Sequence, residues 1–246
     1  MNCVVLDYGK TVCDKDWDSV GTDAYFYKLY YCIDGKAEYI CDGIEVDFLP
    51  GNLYIIKENT KYKVVASEGH YFDVLWFHVD FYLPLIKPLV EIKIDENSVE
   101  KHLLEALMEA IKSNKEILPK IIEPLTEIII TNNDLFEVFD RPTIKAAQYI
   151  TKNYNKNITN DTIAEQLGYN KNYFIKKFKD TLGVSPHQYL IKVKMTYAKK
   201  YLAEKKSVKQ ASSIVGYNDP NTFSRDFKKY YGYSPTEFLK SSRRFL

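Results

Sequence analysis

The stretch GYNKNYFIKKF at residues 168–178 recurs in altered form as GYNDPNTFSRDF at residues 216–227. Both copies run on to a glycine and a Ser-Pro pair, GVSP at residues 183–186 and GYSP at residues 232–235. From the paired phenylalanines onward the copies are offset by 49 residues, with one extra residue in the second turn. Such a repeat indicates one structural unit used twice.

The residues around each copy are those that begin and end helices. Ser207 and Gln210 fit a capping box, in which each side chain bonds the other residue's backbone N–H. Asp219 followed by Pro220 fits a helix start with proline in the first turn. The predicted starts and stops are, in chain order, Thr159, Gly168, Asn170, Gly183, Ser185, Ser207, Gly216, Asp219, Gly232 and Ser234. Helix, tight turn and helix are therefore predicted twice.

The second helix of each copy has an apolar face and a polar face. Phe174 and Phe178 share one face in the first copy, and Asn172 and Lys176 lie on the other. The equivalent polar residues of the second copy are Asn221 and Arg225. A solvated helix face can have this composition too, but its occurrence in both copies favours the reading of DNA bases. The candidate DNA-contacting residues are Lys171, Asn172, Lys176, Lys179, Lys194, Asn221, Thr222, Ser224, Arg225 and Lys228.

The chemistry of these side chains matches base edges. Asparagine fits the N6/N7 edge of adenine, and arginine or lysine fits the O6/N7 edge of guanine. Because arginine grips guanine with two bonds and lysine is a point charge, we expect the second copy to read bases more through arginine. Residues 185–204 between the copies predict one helix roughly 27–30 Å long. It could hold the two copies in successive major grooves, about 34 Å apart, with Lys194 contacting phosphate.

The charge of the chain is divided between its two parts. Residues 141–246 contain 21 Lys and Arg against 7 Asp and Glu, a balance of +14. The whole chain has 34 basic and 33 acidic residues, so residues 1–140 contain 13 basic and 26 acidic, a balance of −13. The basic part suits a polyanion, and the switch near Arg141-Pro142 predicts a domain boundary.

The composition argues against a membrane protein, a secreted protein and a zinc or disulfide framework. No apolar run approaches the roughly 20 residues of a membrane span, and the first residues do not resemble a signal peptide. Four cysteines without CxxC spacing favour reduced, buried thiols over zinc or disulfides. We therefore expect a cytoplasmic protein with no metal and no cofactor.

The acidic part changes its pattern near residue 90. Strand-like runs are separated by Asp-Gly and Pro-Gly turns, which predicts an antiparallel sandwich or small barrel. These runs are residues 25–33, 37–41, 44–48, 53–56, 62–66 and 71–81. Two amphipathic helices follow, around residues 99–111 and 117–129. Their apolar stripes could pack on the barrel, on each other or on a second copy of the chain.

Residues 141–242 resemble the DNA-binding domain of AraC/XylS-type transcription regulators. The resemblance is carried by Ile163-Ala164, Leu167-Gly168-Tyr169, Tyr173-Phe174, Phe178, Gly183 to Pro186, Tyr189-Leu190, Ala198, Leu202, Gly216-Tyr217, Phe223-Ser224-Arg225, Phe227-Lys228-Lys229 and Gly232 to Pro235. Three pairs depart from the family pattern, namely Lys194-Met195 for Arg-Leu, Ala211-Ser212 for Ile-Ala and Phe238-Leu239 for Tyr-Arg.

The resemblance implies an α+β protein in three parts. Residues 1–90 would be an antiparallel, cupin-like β-barrel that binds a small effector, residues 91–140 a helical linker pair for dimerisation, and residues 141–246 an all-α domain of two helix-turn-helix motifs. It also implies a homodimer, an activator and contact with RNA polymerase. Residues 25–81 match more loosely, and Tyr62 stands where many members have histidine, which argues against a metal-binding cupin enzyme.

Candidate effector contacts come from two strands of the barrel. Trp76 and His78 share a strand face, as do Tyr25, Tyr27 and Tyr31, although these aromatics could simply fill the barrel. A sugar is one candidate effector. Two alternatives stay open: a regulator whose barrel binds no ligand and mediates dimer or partner contacts, and a barrel enzyme with a DNA-binding tail. The enzyme is disfavoured because no catalytic motif is visible.

Overall fold

The computed structural model describes residues 3–21, 26–81, 83, 85, 87–113, 117–135 and 139–242. The chain forms two compact units, one of Met1–Phe81 with Leu85–Phe136 and one of Tyr82–Pro84 with Glu137–Leu246. The later division of the chain therefore falls between the described residues Leu135 and Phe139, where the sequence suggested 140 and 141. The helical pair that the sequence set apart as a linker belongs to the first unit.

The strands of the first unit form two antiparallel sheets. They are β1 (Cys3–Cys13), β2 (Asp18–Gly21), β3 (Tyr27–Gly35), β4 (Ala37–Cys41), β5 (Ile44–Phe48), β6 (Asn52–Ile56), β7 (Tyr62–Ala66), β8 (Phe72–Phe81) and β9 (Leu89–Lys93). One sheet has the order β1-β8-β3-β6-β9 and the other β2-β7-β4-β5. The sequence predicted β3 to β8 within about two residues but missed β1, β2 and β9.

An aromatic core lies between the two sheets. Phe48 stacks on Tyr54 with ring centroids 3.8 Å apart and on Tyr39 at 5.9 Å, and all three rings are buried. Cys13, Cys32 and Cys41 pack in this core, and Cys3 is also buried. All four cysteines have free thiols in the structure.

Two helices complete the first unit, α1 (Val99–Ser113) and α2 (Leu118–Asn132). They pack against each other and against β1, using buried residues such as Leu104, Leu107 and Ile122. Of the three uses left open for their apolar stripes, packing on the sheet and packing on each other are both observed.

The second unit is helical. Its helices are α3 (Arg141–Lys152), α4 (Asn160–Leu167), α5 (Lys171–Leu182), α6 (Pro186–Ala203), α7 (Val208–Ile214), α8 (Pro220–Tyr231) and α9 (Pro235–Ser242). The pairs α4–α5 and α7–α8 are the two predicted helix-turn-helix motifs. Among the described residues, no helix combines the length and the hydrophobicity needed to cross a bilayer.

The predicted caps of these helices are observed. Thr159, Ser185 and Ser207 form capping boxes, and Asn170 and Asp219 accept backbone N–H groups at the starts of α5 and α8. Gly168, Gly183, Gly216 and Gly232 have φ between 73° and 82°, a left-handed conformation that favours glycine. These capping side chains and glycines therefore determine where α4, α5, α7 and α8 begin and end.

The central helix α6 organises the second unit. It contacts α3 and α5 on one side of the repeat and α7, α8 and α9 on the other. Its 18 residues make a rod of about 27 Å. Buried residues such as Tyr189, Met195 and Leu202 join the two motifs to this rod.

Candidate nucleic-acid interface and effector site

The first recognition helix, α5, is held by one cap and two phenylalanines. The Asn170 side chain accepts the N–H groups of Asn172 and Tyr173, at 3.0 and 3.3 Å. Phe174 and Phe178 are buried, 4% and 1% exposed, which fixes the rotation of the helix. The opposite face presents three exposed side chains, Asn172, Lys176 and Lys179.

The second recognition helix, α8, is built in the same way. Asp219 accepts the N–H groups of Asn221 and Thr222, both at 3.0 Å. Phe223 and Phe227 are fully buried. The exposed residues on the other side are Asn221, Arg225 and Lys228. The two helices therefore present Asn and a cation at equivalent positions.

Hydrogen bonds within α8 hold Arg225. The Thr222 hydroxyl donates to Asp219 Oδ2 at 2.8 Å and accepts from Arg225 Nη2 at 3.1 Å. The backbone N–H of Asn221, with the hydroxyl and N–H of Thr222, lowers the pKa of Asp219. The Ser224 hydroxyl donates to the carbonyl of Pro220 at 2.8 Å. Thr222 thus bonds the guanidinium and Ser224 bonds its own helix, and the direct DNA contacts of both residues stay predictions.

Two lysines of α5 form ion pairs within the unit. Lys171 Nζ lies 2.8 Å from Asp161 Oδ2, and both side chains are largely exposed. Lys177 Nζ lies 2.9 Å from Asp140 Oδ2, on the residue that caps α3. Exposed ion pairs contribute little to stability, so the Lys171 ammonium can exchange Asp161 for a phosphate at small cost.

Lys194 is placed differently from the prediction. It was expected to meet phosphate, but it is 8% exposed and its Nζ donates to the carbonyl of Gly216 at 3.1 Å. The ammonium also lies 4.9 Å from the centroid of the Tyr217 ring. Burial lowers the pKa of Lys194, and the charge of Asp226 acts in the opposite direction. The Lys194 ammonium therefore has its observed contacts within the unit, and its contact with phosphate stays a prediction.

Tyr173 is an exposed residue that the sequence reasoning did not select. It is 56% exposed on α5, directly after Asn172, with its ring 5.7 Å from that of Tyr169. Its position lies about 60° around the helix from Lys176. The sequence signal for Tyr173 is an aromatic residue beside the polar face of α5, although the same residue also belongs to the family pattern.

The predicted effector tyrosines do not share a face with Trp76 and His78. Tyr25 lies outside the described residues. Tyr27 packs on Phe81 at 4.7 Å, and its hydroxyl accepts the N–H of Leu85 at 3.2 Å. The Tyr31 hydroxyl accepts from Lys101 Nζ of α1 at 3.3 Å. Tyr27 and Tyr31 therefore point away from the space between the sheets.

The strand register identifies the residues that do share that face. Tyr30 pairs with Trp76 and Lys28 with His78, and paired residues point to the same side of a sheet. Tyr30 belongs to the core cluster between the sheets, and Trp76 packs against it. The sequence does not show which side of β3 points inward, because nearly every residue from 27 to 32 is buried and the strand has no alternation of polar and apolar residues.

The side chains that point into the space between the sheets combine polar groups with aromatic rings. Lys28 Nζ donates to the Tyr62 hydroxyl and lies 4.8 Å from the centroid of that ring. Burial lowers the pKa of Lys28 and raises that of Tyr30. Trp76 Nε1 donates to Thr11 Oγ1 at 3.0 Å, and its ring lies 4.9 Å from that of His78. Lys28, Trp76 and His78 are half-buried, so each keeps an accessible part.

Comparisons with known proteins agree with this architecture. Residues 163–241 match the family model described as "Helix-turn-helix domain". The chain is 29% identical over 143 residues to the lactose operon transcription activator of Staphylococcus xylosus, covering 58% of this chain and 48% of that protein. It therefore spans about half the length of that relative.

Two further comparisons concern the family and the fold. The probable transcription factor PqrA of Proteus vulgaris is 35% identical over 88 residues, which cover 35% of this chain and 72% of that protein. A crystal structure of ToxT from Vibrio cholerae O395 has a TM-score of 0.54 at 13% identity, covering 98% of this chain and 100% of that one, and shows the same fold. The chain belongs to the AraC-type family of helix-turn-helix transcription regulators.

Proposed function

We propose that the protein is a sequence-specific, DNA-binding transcription activator that responds to a small-molecule effector. One observation carries the DNA-binding part of the proposal. Both recognition helices bury their phenylalanine pair and expose asparagine and a cation at equivalent positions. Asn172 and Asn221 suit adenine, whereas Lys176 and Arg225 suit guanine.

The spacing of the motifs supports binding to one face of a duplex. Both motifs contact α6, a rod of about 27 Å. Successive major grooves on one face of DNA are roughly 34 Å apart. The surplus of basic residues in residues 141–246 supplies the attraction to phosphate, which acts on any sequence. Base contacts from α5 and α8 then supply the sequence preference.

The experiment for this part is selection of duplexes from a random pool by the full chain. We expect two short preferred segments about 10 base pairs apart. Asn172→Ala should remove the preference in one segment and Asn221→Ala in the other. Lys120→Ala, an exposed lysine of α2, is the matched control and should leave both segments unchanged. Selection that returns no preferred segment, or one that both variants leave intact, contradicts the proposal.

The inward face of the first unit is the proposed effector site. Lys28, Tyr62 and His78 offer hydrogen-bonding groups beside the faces of Trp76 and Tyr30. Ligand sites combine aromatic walls with a few convergent polar groups in this way. A sugar is the first candidate, because hydroxyls suit such groups and the Staphylococcus xylosus relative is named for a lactose operon.

Calorimetry with a panel of sugars and small metabolites tests the effector site. We expect at least one compound to bind, Lys28→Met to abolish its binding, and the outward-facing control Tyr31→Phe to keep it. Intact DNA binding with no bound compound would favour the alternative, in which the first unit mediates dimer or partner contacts alone. Binding that survives in Lys28→Met would place the site elsewhere.

The proposal includes a homodimer and a contact with RNA polymerase. Apolar residues of α1 and α2 stay half-exposed in the single chain, namely Leu103, Ile111, Ile121 and Ile128. Analytical ultracentrifugation with Ile121→Glu tests whether this stripe pairs two chains, and a monomeric wild type would exclude the dimer. Transcription in vitro with purified polymerase, with and without the protein, tests activation.

A further inference from the structure

A chain of contacts joins the two motifs through Lys194. Its ammonium donates to the carbonyl of Gly216, in the turn of the second motif, at 3.1 Å and lies over the Tyr217 ring at 4.9 Å. The Tyr217 hydroxyl donates to Asp226 Oδ2 at 2.8 Å. Asp226 follows Arg225 on α8. The central helix is thus connected to the second recognition helix by polar contacts of defined geometry.

The same turn touches the segment that precedes the first motif. A Cβ built on Gly216 would lie 2.2 Å from the carbonyl oxygen of Asn155, so the two backbones are in close contact. Beside it, Tyr154 stacks on Tyr197 of α6 with ring centroids 4.1 Å apart and an interplanar angle of 7°. The Tyr154 and Tyr201 hydroxyls are 3.2 Å apart. We call Tyr154, Asn155, Lys194, Gly216, Tyr217 and Asp226 the junction.

Packing alone does not explain a lysine at the centre of this junction. An apolar residue of similar volume would fill the space without the cost of removing an ammonium from water. The ammonium instead has directional partners, the Gly216 carbonyl and the Tyr217 ring face. Directional contacts of a buried polar group select one arrangement among several that apolar packing would accept.

We propose that Lys194 is a positioning residue that fixes the second recognition helix relative to the first, so that the protein accepts one spacing between its two DNA segments. The inference rests on the proposed use of both motifs on one duplex. A change in spacing moves one DNA segment along and around the duplex relative to the other. A second motif that could tilt freely would keep its base contacts with the moved segment, whereas a motif held in one orientation would lose them. Lys194 acts here through Gly216 and Tyr217 and touches no DNA.

The test measures spacing tolerance with the full chain. The probe is the preferred duplex selected from the random pool, together with two derivatives in which one base pair is inserted or deleted between the segments. We expect the wild type to bind the derivatives at least tenfold more weakly than the parent. Lys194→Met should reduce that ratio to about threefold or less, and Lys194→Arg should restore it. Because each ratio compares duplexes with one protein sample, it does not depend on the folded fraction.

Two further variants sharpen the interpretation. Tyr217→Phe keeps the ring under the ammonium but removes the bond to Asp226, so its ratio should lie between those of the wild type and Lys194→Met. This variant also tests the junction if Lys194→Met does not fold. Lys200→Met, on the same helix, is the matched control and should keep the wild-type ratio.

The outcomes separate the two proposals. A wild-type ratio in a folded Lys194→Met, or in Tyr217→Phe if the former does not fold, overturns the inference and leaves the proposed function standing. A wild type that binds parent and derivatives equally shows that the two motifs do not read one duplex at fixed spacing, which contradicts the proposed function itself.

Discussion

Arg225 is the residue on which we expect base reading to depend most. Its guanidinium is exposed and is held by the Thr222 hydroxyl at the start of α8. Arg225→Ala should cost about 1–3 kcal/mol of specific binding and relax the preference at one base pair. Arg225→Lys keeps the charge but loses the bidentate geometry, so it should lose most of the same specificity. Titration of labelled duplexes with each base substituted measures both, and unchanged affinity for the parent duplex in Arg225→Ala would falsify the assignment of this face.

Lys176 and Lys194 should differ in their effect on the salt dependence of binding. Lys176 is exposed on α5, and its ammonium at the DNA surface would release counterions from the phosphates, so Lys176→Ala should reduce the slope of log affinity against log salt by about 1. Lys194 is buried against Gly216, so Lys194→Met should keep the wild-type slope. Titrations at several salt concentrations measure both slopes. A flatter slope in Lys194→Met would return this residue to the DNA surface, as the sequence first suggested.

Single residues were predictable where the signal is local. The caps Thr159, Asn170 and Asp219 act within three residues of their partners, so the sequence shows both halves of each contact. The partner of Lys194 is 22 residues away, and the inward side of β3 is set by pairing with β8. Neither contact can be read from a repeat or a helical wheel, so the sequence alone does not show which neighbours Lys194, Tyr27 and Tyr31 have.

The turn of the second motif is an element whose geometry allows little change. Gly216 has φ of 76° and lies against the carbonyl of Asn155, whereas Gly183, with φ of 73°, has open space where a Cβ would be. Gly183→Ala should therefore cost about 1–2 kcal/mol, the penalty of a left-handed L-residue. Gly216→Ala carries the same penalty and must also displace a backbone carbonyl, so it should cost clearly more.

Chemical denaturation followed by helical circular dichroism measures this pair of free energies of unfolding. Gly232→Ala is a second reference, since its Cβ would also be in open space. Equal losses for Gly183→Ala and Gly216→Ala would mean that the contact with Asn155 yields without cost and that the junction is loose there.

The helices of the repeat could be predicted from the sequence, whereas strand β1 could not. All helices of the repeat carry their own start and stop residues, so their order and bounds followed from the sequence. The strand β1 pairs along its length with β8, and its first pair, Cys3 with Phe81, joins residues 78 positions apart in the sequence. It contains Gly9 and Lys10 and lacks alternation, so its existence depends on a partner and not on local preference.

At the scale of the whole molecule, two units with separate cores predict two unfolding transitions. Both tryptophans, Trp17 and Trp76, belong to the first unit, so tryptophan emission reports the unfolding of that unit. Circular dichroism at 222 nm reports both units, because α1 and α2 lie in the first and α3 to α9 in the second. Some of the dichroism change will not coincide with the change in tryptophan emission. That part reports the unfolding of the second unit.

A DNA duplex should act on one of these transitions. A ligand present at a hundred times its Kd stabilises the state it binds by about 2.7 kcal/mol, which raises the Tm of a unit of this size by about ten degrees. We expect the selected duplex to raise the Tm of the transition seen only by dichroism and to leave the Tm seen by tryptophan emission unchanged. An effector should raise the Tm seen by tryptophan emission and leave the other unchanged. Lys28→Met should abolish the effector's shift and keep that of the duplex. Two probes that always move together would show that the two units unfold as one, which would contradict this prediction.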